Sequence, residues 1–100
     1  MVEGQGKSIK TLKKTKEFII KNELGLHLRP AGLFVKTVKN YHADITVEKD
    51  GIQADGKSII GLTTLNVVKN SKITVEACGK DADQAIEALG RLIAGNFEEN

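Results

Sequence analysis

The dipeptide Asp50-Gly51 stands between two short runs, DITVEK at 44–49 and IQADG at 52–56, and constrains the chain more than any other feature. A two-residue type I′ turn needs positive φ at both central positions, which Asp and Gly tolerate, so the runs are expected to fold back on each other as an antiparallel hairpin. Strand side chains alternate between faces. Ile45 and Val47 from the first run, and Ile52 and Ala54 from the second, are therefore expected to face a core. SKITVEACG at 71–79 alternates in the same way, with Ile73, Val75 and Ala77 inward and Thr74, Glu76 and Cys78 on the other side. KEFIIKN at 16–22 is a fourth run rich in strand formers, with Phe18 and Ile20 on one face.

Between these runs the apolar period lengthens. Ala31, Phe34, Val35 and Val38 fall at i, i+3, i+4 and i+7, which predicts a helix with Pro30 in its first turn, where a missing N–H costs nothing. KSIIGLTTLN at 57–66 predicts a shorter helix: Ser58 caps its start, Ile59 and Leu62 share a face, and Asn66 supplies a left-handed stop. Asp81 with Gln84 three residues later resembles a capping box. It opens a helix striped by Ile86, Leu89 and Ile93, reinforced by Ala85 and Leu92 and ended by Gly95 and Asn96. The order β-α-β-β-α-β-α predicts an α+β fold, a four-stranded antiparallel sheet with three helices on one face.

One hundred residues allow one small core, so a single soluble domain is expected. No apolar run reaches the roughly 18 to 20 residues that span a bilayer, and the N-terminus lacks the apolar block of a secretory signal, which points to the cytosol and to no membrane insertion. Cys78 is alone, and with His27 and His42 it offers no metal-ligand spacing, so neither a disulfide nor a metal is expected. Residues 1–16 hold five lysines against Glu3, a charge of +4, which leaves −2 on the other 84 residues of a chain whose total is +2. That balance argues against a basic nucleic-acid-binding body, and 4% aromatic residues are too few for a base-stacking platform. Residues 1–13 are expected to be a lysine-rich flexible leader and 14–100 the folded domain.

The stretch GLHLRPA at 25–31 places His27 at the doorway of the first helix. A helix N-terminus presents free N–H donors and roughly half a positive charge, a setting that favours an anion. A neutral imidazole there can attack phosphorus, and Arg29 adds a planar fork of donors suited to phosphate oxygens. A His-x-Arg-Pro at a helix start is also what a capped, solvated terminus looks like, and spacing alone leaves the two readings undecided. Ser58 has a cap's role whether or not a kinase modifies it. A phosphate added there is compatible with the helix dipole and would change the surface beside Ile59, Ile60 and Leu62 rather than the fold. His42, with no neighbouring arginine, reads as a surface histidine.

GLHLRPAGLFVK followed by GKSIIGLTTLNV resembles the histidine-containing phosphocarrier (HPr) family of the bacterial phosphoenolpyruvate-dependent sugar phosphotransferase system, from about Lys14 onward. The resemblance implies an open-faced β-sandwich, a phosphoryl carrier rather than an enzyme in its own right, and no cofactor. By the same resemblance His27 accepts a phosphoryl group on its δ nitrogen from enzyme I and yields it to enzyme IIA components, with Arg29 assisting. Ser58 matches the serine phosphorylated by HPr kinase/phosphorylase. Leu28, Pro30, Gly32, Ile59, Ile60 and Thr63 fall where the family docks its partners. Leu28 stands where the family usually has a small residue such as Ala or Thr, and the leader lies outside the ordinary family length. The alternative is a mainly regulatory HPr-like protein that reports metabolic state through Ser58 and His27 to kinases or a transcriptional regulator. A third is an anion-binding module whose leader touches nucleic acid. Nothing in the patterning calls for an oligomer, so a monomer is expected.

Overall fold

The computed structural model describes residues 12–99. The leader expected at 1–13 falls outside the described residues except for its last two positions. Four strands, β1 (Lys13–Ile19), β2 (Asp44–Lys49), β3 (Ile52–Asp55) and β4 (Lys72–Cys78), alternate with α1 (Leu28–Val38), α2 (Ile59–Thr64) and α3 (Ala82–Ala94), and a short turn at Asn96–Glu98 follows. The sheet order is β1-β4-β2-β3, every neighbour antiparallel. This is the α+β open-faced arrangement expected from the order of elements.

The hairpin forms as predicted: Asp50 and Gly51 have φ of 54° and 83°, both in the region a type I′ turn requires. Central strands β2 and β4 carry the core, with Ile45 opposite Ala77 and Val47 opposite Val75. All four are buried, as is Ile73, which pairs with Phe18 of β1. Helix α1 buries Pro30, Ala31, Phe34, Val35 and Val38, and α3 buries Ala82, Ala85, Ile86, Leu89 and Ile93, so the two apolar stripes and the sheet's inner face close one core. Each large aliphatic side chain fully buried there contributes about 1.5–3 kcal/mol. Asn66 ends α2 at φ 56°, the left-handed stop expected of it.

Three expectations need correction. Strand pairing begins at Lys13, inside the stretch read as leader, and Lys13 lies opposite Cys78. The strand hides because β1 is an edge: Lys14 reaches Asp83 of α3 at 3.4 Å and Lys16 lies over the Phe18 ring, so lysines occupy positions where apolar residues would have revealed alternation. Ile52 keeps the parity of Val47 and Ala54 but stands 64% exposed, because it sits beside the turn on the other edge strand. Asp81 makes no capping bond to its own helix. With φ −102° and ψ 26° it lacks the extended backbone of a capping residue, and its carboxylate instead accepts the N–H groups of His42 (2.8 Å) and Ala43 (2.9 Å). The His42 N–H bond leads in holding that carboxyl below the usual range, and the strap ties the α1–β2 loop to the start of α3.

Candidate functional site

The approach to α1 is fixed one residue at a time. Gly25 has φ +63°, and a Cβ placed on it would lie 2.1 Å from the Val67 carbonyl oxygen, so no other residue allows this contact. The close approach lets the Leu26 N–H donate to that carbonyl at 2.9 Å, and Leu26 and Val67 are both buried around the bond. His27 emerges next, in extended conformation (φ −69°, ψ −178°), as the N-cap of α1. Its carbonyl accepts the Ala31 N–H at 2.8 Å, while its imidazole makes no capping bond and stands exposed.

The helix start therefore keeps its donors free. Among the described residues the N–H groups of Leu28 and Arg29 find no acceptor, and Pro30 has no N–H to offer. Arg29 is exposed in the same first turn, and no acidic residue occupies that turn. An exposed imidazole thus adjoins two unpaired amides, the positive end of an 11-residue helix dipole and a guanidinium, a set that suits an anion attached to the ring.

A shallow pocket of about 300 Å³ opens at His27 and is lined by Leu24, Leu26, Leu28, Thr63, Asn66, Val67 and Val68. It brings together three of the residues singled out in the sequence, His27, Leu28 and Thr63, and the Thr63 hydroxyl is engaged by the Ile60 carbonyl at 2.9 Å. Helix α2 packs against α1, and on its open side Ile60 is 76% exposed. Ile59 is exposed to a lesser degree, and Leu28, at the start of α1 on the pocket wall, is 66% exposed. Gly32 is half-buried, with open space around the position a Cβ would take. Pro30 is buried in the first turn of α1. Ser58 lies outside the pocket. It is the N-cap of α2, its hydroxyl accepting the Gly61 N–H at 3.0 Å, as the sequence predicts.

Sequence reasoning missed Leu24 and Val68, both exposed on the pocket wall, and the long-range partner of the loop before them. The turn Asn22–Gly25, closed by the Gly25 N–H to the Asn22 carbonyl, is bound by the carboxylate of Glu99. That carboxyl is held below the usual range first by the Asn22 side-chain amide, then by the Glu23 and Leu24 N–H groups and the nearby Arg29 charge, against an opposing desolvation. No local pattern announces a contact across 77 positions.

A four-stranded antiparallel sheet with three helices on one face and a bare histidine at the first helix's start defines the class of small open-faced sandwiches that present one imidazole on a rigid scaffold. Residues 14–95 match the family model described as "PTS HPr component phosphorylation site", and the chain belongs to the HPr family. It is 45% identical over 84 residues to the phosphocarrier protein HPr of Borreliella burgdorferi, covering 84% of this chain and 96% of that protein. It is 40% identical over 86 residues to the multiphosphoryl transfer protein of Escherichia coli O157:H7, covering 83% of this chain but 23% of that longer protein. The crystal structure of HPr from Thermoanaerobacter tengcongensis superposes with a TM-score of 0.84 at 41% identity, over 87% of this chain and 98% of that one.

Proposed function

We propose that this protein is a phosphocarrier in which His27 takes a phosphoryl group from enzyme I and hands it to enzyme IIA components. The observation that carries this reading is the exposed imidazole of His27 set against the unpaired Leu28 and Arg29 amides at the start of α1. The lone pair of a neutral ring nitrogen, the δ nitrogen by family resemblance, forms the N–P bond as the donor's bond to phosphorus breaks, and the next acceptor repeats the exchange in the other direction. Such a transfer asks for positioning and charge stabilisation, both of which the amides, the dipole and the Arg29 guanidinium supply. Leu28, Ile59 and Ile60 form the apolar docking surface, with Thr63 and the half-buried Gly32 beside it. The carrier domain includes β1 from Lys13 onward.

Regulation through Ser58 is the second part of this reading, supported by its position as the cap of α2 immediately before Ile59 and Ile60. A phosphate there would border the exposed Ile60 with a dianion and weaken an acidic partner's hold, while the α2 amides accommodate the charge. The test of the carrier function is incubation with enzyme I, magnesium and labelled phosphoenolpyruvate, wild type beside His27→Ala. An acid-labile label that requires His27 is the expected result; equal labelling of both proteins would refute it.

A further inference from the structure

After α3 the backbone takes an uncommon route. Asn96, Phe97 and Glu98 all lie at positive φ (54°, 54° and 62°), a region that L side chains disfavour. Burial holds the strained segment in place, since Phe97 is 0% exposed within the core. What this turn delivers is Glu99. Its Oε1 accepts the Glu23 N–H at 2.9 Å, and its Oε2 accepts the Asn22 side-chain amide at 2.8 Å and the Leu24 N–H at 3.4 Å. The same Asn22 amide also donates to the Gly25 carbonyl at 2.9 Å, so one carboxylate gathers the donors of the turn that leads into His27 and one buried asparagine links that carboxylate to the turn's last carbonyl.

We propose that Glu99 is a positioning residue for phosphoryl transfer, a latch that fixes the Asn22–Gly25 turn and through it the placement of His27 and of the Leu24 wall of the pocket. The proposal rests on the reading of His27 as the phosphoryl acceptor. Three donors converge on two oxygens, and only a carboxylate offers enough acceptor capacity for all of them. Glutamine in its place keeps the shape but turns one acceptor into an NH2 donor aimed at other donors. With the turn released, the Leu26 N–H still holds the Val67 carbonyl, so the domain stays folded while the segment before His27 gains freedom. Transfer depends on near-attack geometry, and a loosened imidazole spends less time aligned with phosphorus.

The test compares wild type with Glu99→Gln and Glu99→Ala in two measurements. In hydrogen exchange, the Glu23 and Leu24 amides of both variants are expected to exchange about tenfold faster or more, the scale set by losing a hydrogen bond to a charged acceptor. In steady-state transfer from phospho-enzyme I, kcat is expected to fall about tenfold while KM stays within about twofold and each chain still takes up one phosphoryl group. A variant that had merely lost folded protein would show the opposite split, a raised apparent KM with kcat retained. Unchanged amide exchange in the variants overturns the latch, and so does faster exchange with unchanged kcat. A wild type that accepts no label overturns the reading of His27 and the positioning role with it, whereas a normally labelled wild type beside equally fast variants overturns the latch alone.

Discussion

Replacing Gly25 with alanine should damage this protein more than the same replacement at Gly51, although both glycines have positive φ (+63° and +83°). At Gly51 nothing lies within 4 Å of the added Cβ, so the cost is the left-handed conformation alone, about 1–2 kcal/mol. At Gly25 the Cβ would fall 2.1 Å from the Val67 carbonyl oxygen and 2.8 Å from the Val68 Cα, both backbone atoms that cannot swing aside. Relief requires the two segments to separate, which breaks the 2.9 Å bond from the Leu26 N–H to Val67 between two buried residues. An unsatisfied buried backbone pair adds about 1–3 kcal/mol, for a total near 2–5 kcal/mol. With a urea m-value of about 1–3 kcal/mol/M, the unfolding midpoint of Gly25→Ala should lie roughly 1 M below that of Gly51→Ala. Equal midpoints would show that the close approach of residues 25 and 67 does not hold the entrance to α1 as argued.

Ser58→Ala should cost about 1 kcal/mol by removing the cap on Gly61 N–H, readable as a lowered melting temperature, whereas Ser58→Asp should restore most of that stability because a carboxylate can take the same bond. Asp81 should make stability fall in acid. Its carboxyl is held below its ordinary range in the folded protein, so its contribution is complete above the unfolded value of about 3.9 and disappears as pH drops through the lower folded value. Asp81→Asn should flatten that part of the stability-versus-pH curve and lower stability at neutral pH; an unchanged curve between about pH 5 and pH 2 would remove the strap from the account. Arg29→Ala should slow phosphoryl transfer by about tenfold or more without shifting the thermal midpoint, checked by rapid-quench kinetics beside calorimetry.

Much of this architecture was legible because local signals and tertiary environment agree. Asp50-Gly51 dictated its turn whatever surrounded it, and the stripes through Phe34 and Leu89 faced the core that the alternation of Val47 and Val75 required. Illegible features were those in which the deciding partner lies far along the chain. Asp81 has a capping residue's spacing, yet the His42 and Ala43 amides compete for its carboxylate and win through a loop about 38 positions away. Lys13 and Lys14 hide the start of β1 because it is an edge strand, exposed at these positions, where Lys14 pairs with Asp83 and no apolar alternation marks the strand. At the site, the placement of His27 and Arg29 at a helix start was legible, since a helix's free amides follow from its geometry, while the choice between a capped terminus and a phosphoryl site came from the family resemblance. Glu99 was not, because Phe97 must first adopt a left-handed backbone that its aromatic side chain gives no reason to expect.

The central claim is that the phosphoryl group rests on His27 only in passing, so the most direct measurement is a pulse and chase on the intact protein. Label from phosphoenolpyruvate should enter through enzyme I to one group per chain, sit on the His27 ring, and leave when an unlabelled enzyme IIA component is added, appearing there in equal amount. A label found on any other residue, or one that remains on His27 in the presence of every enzyme IIA component supplied, would contradict the account.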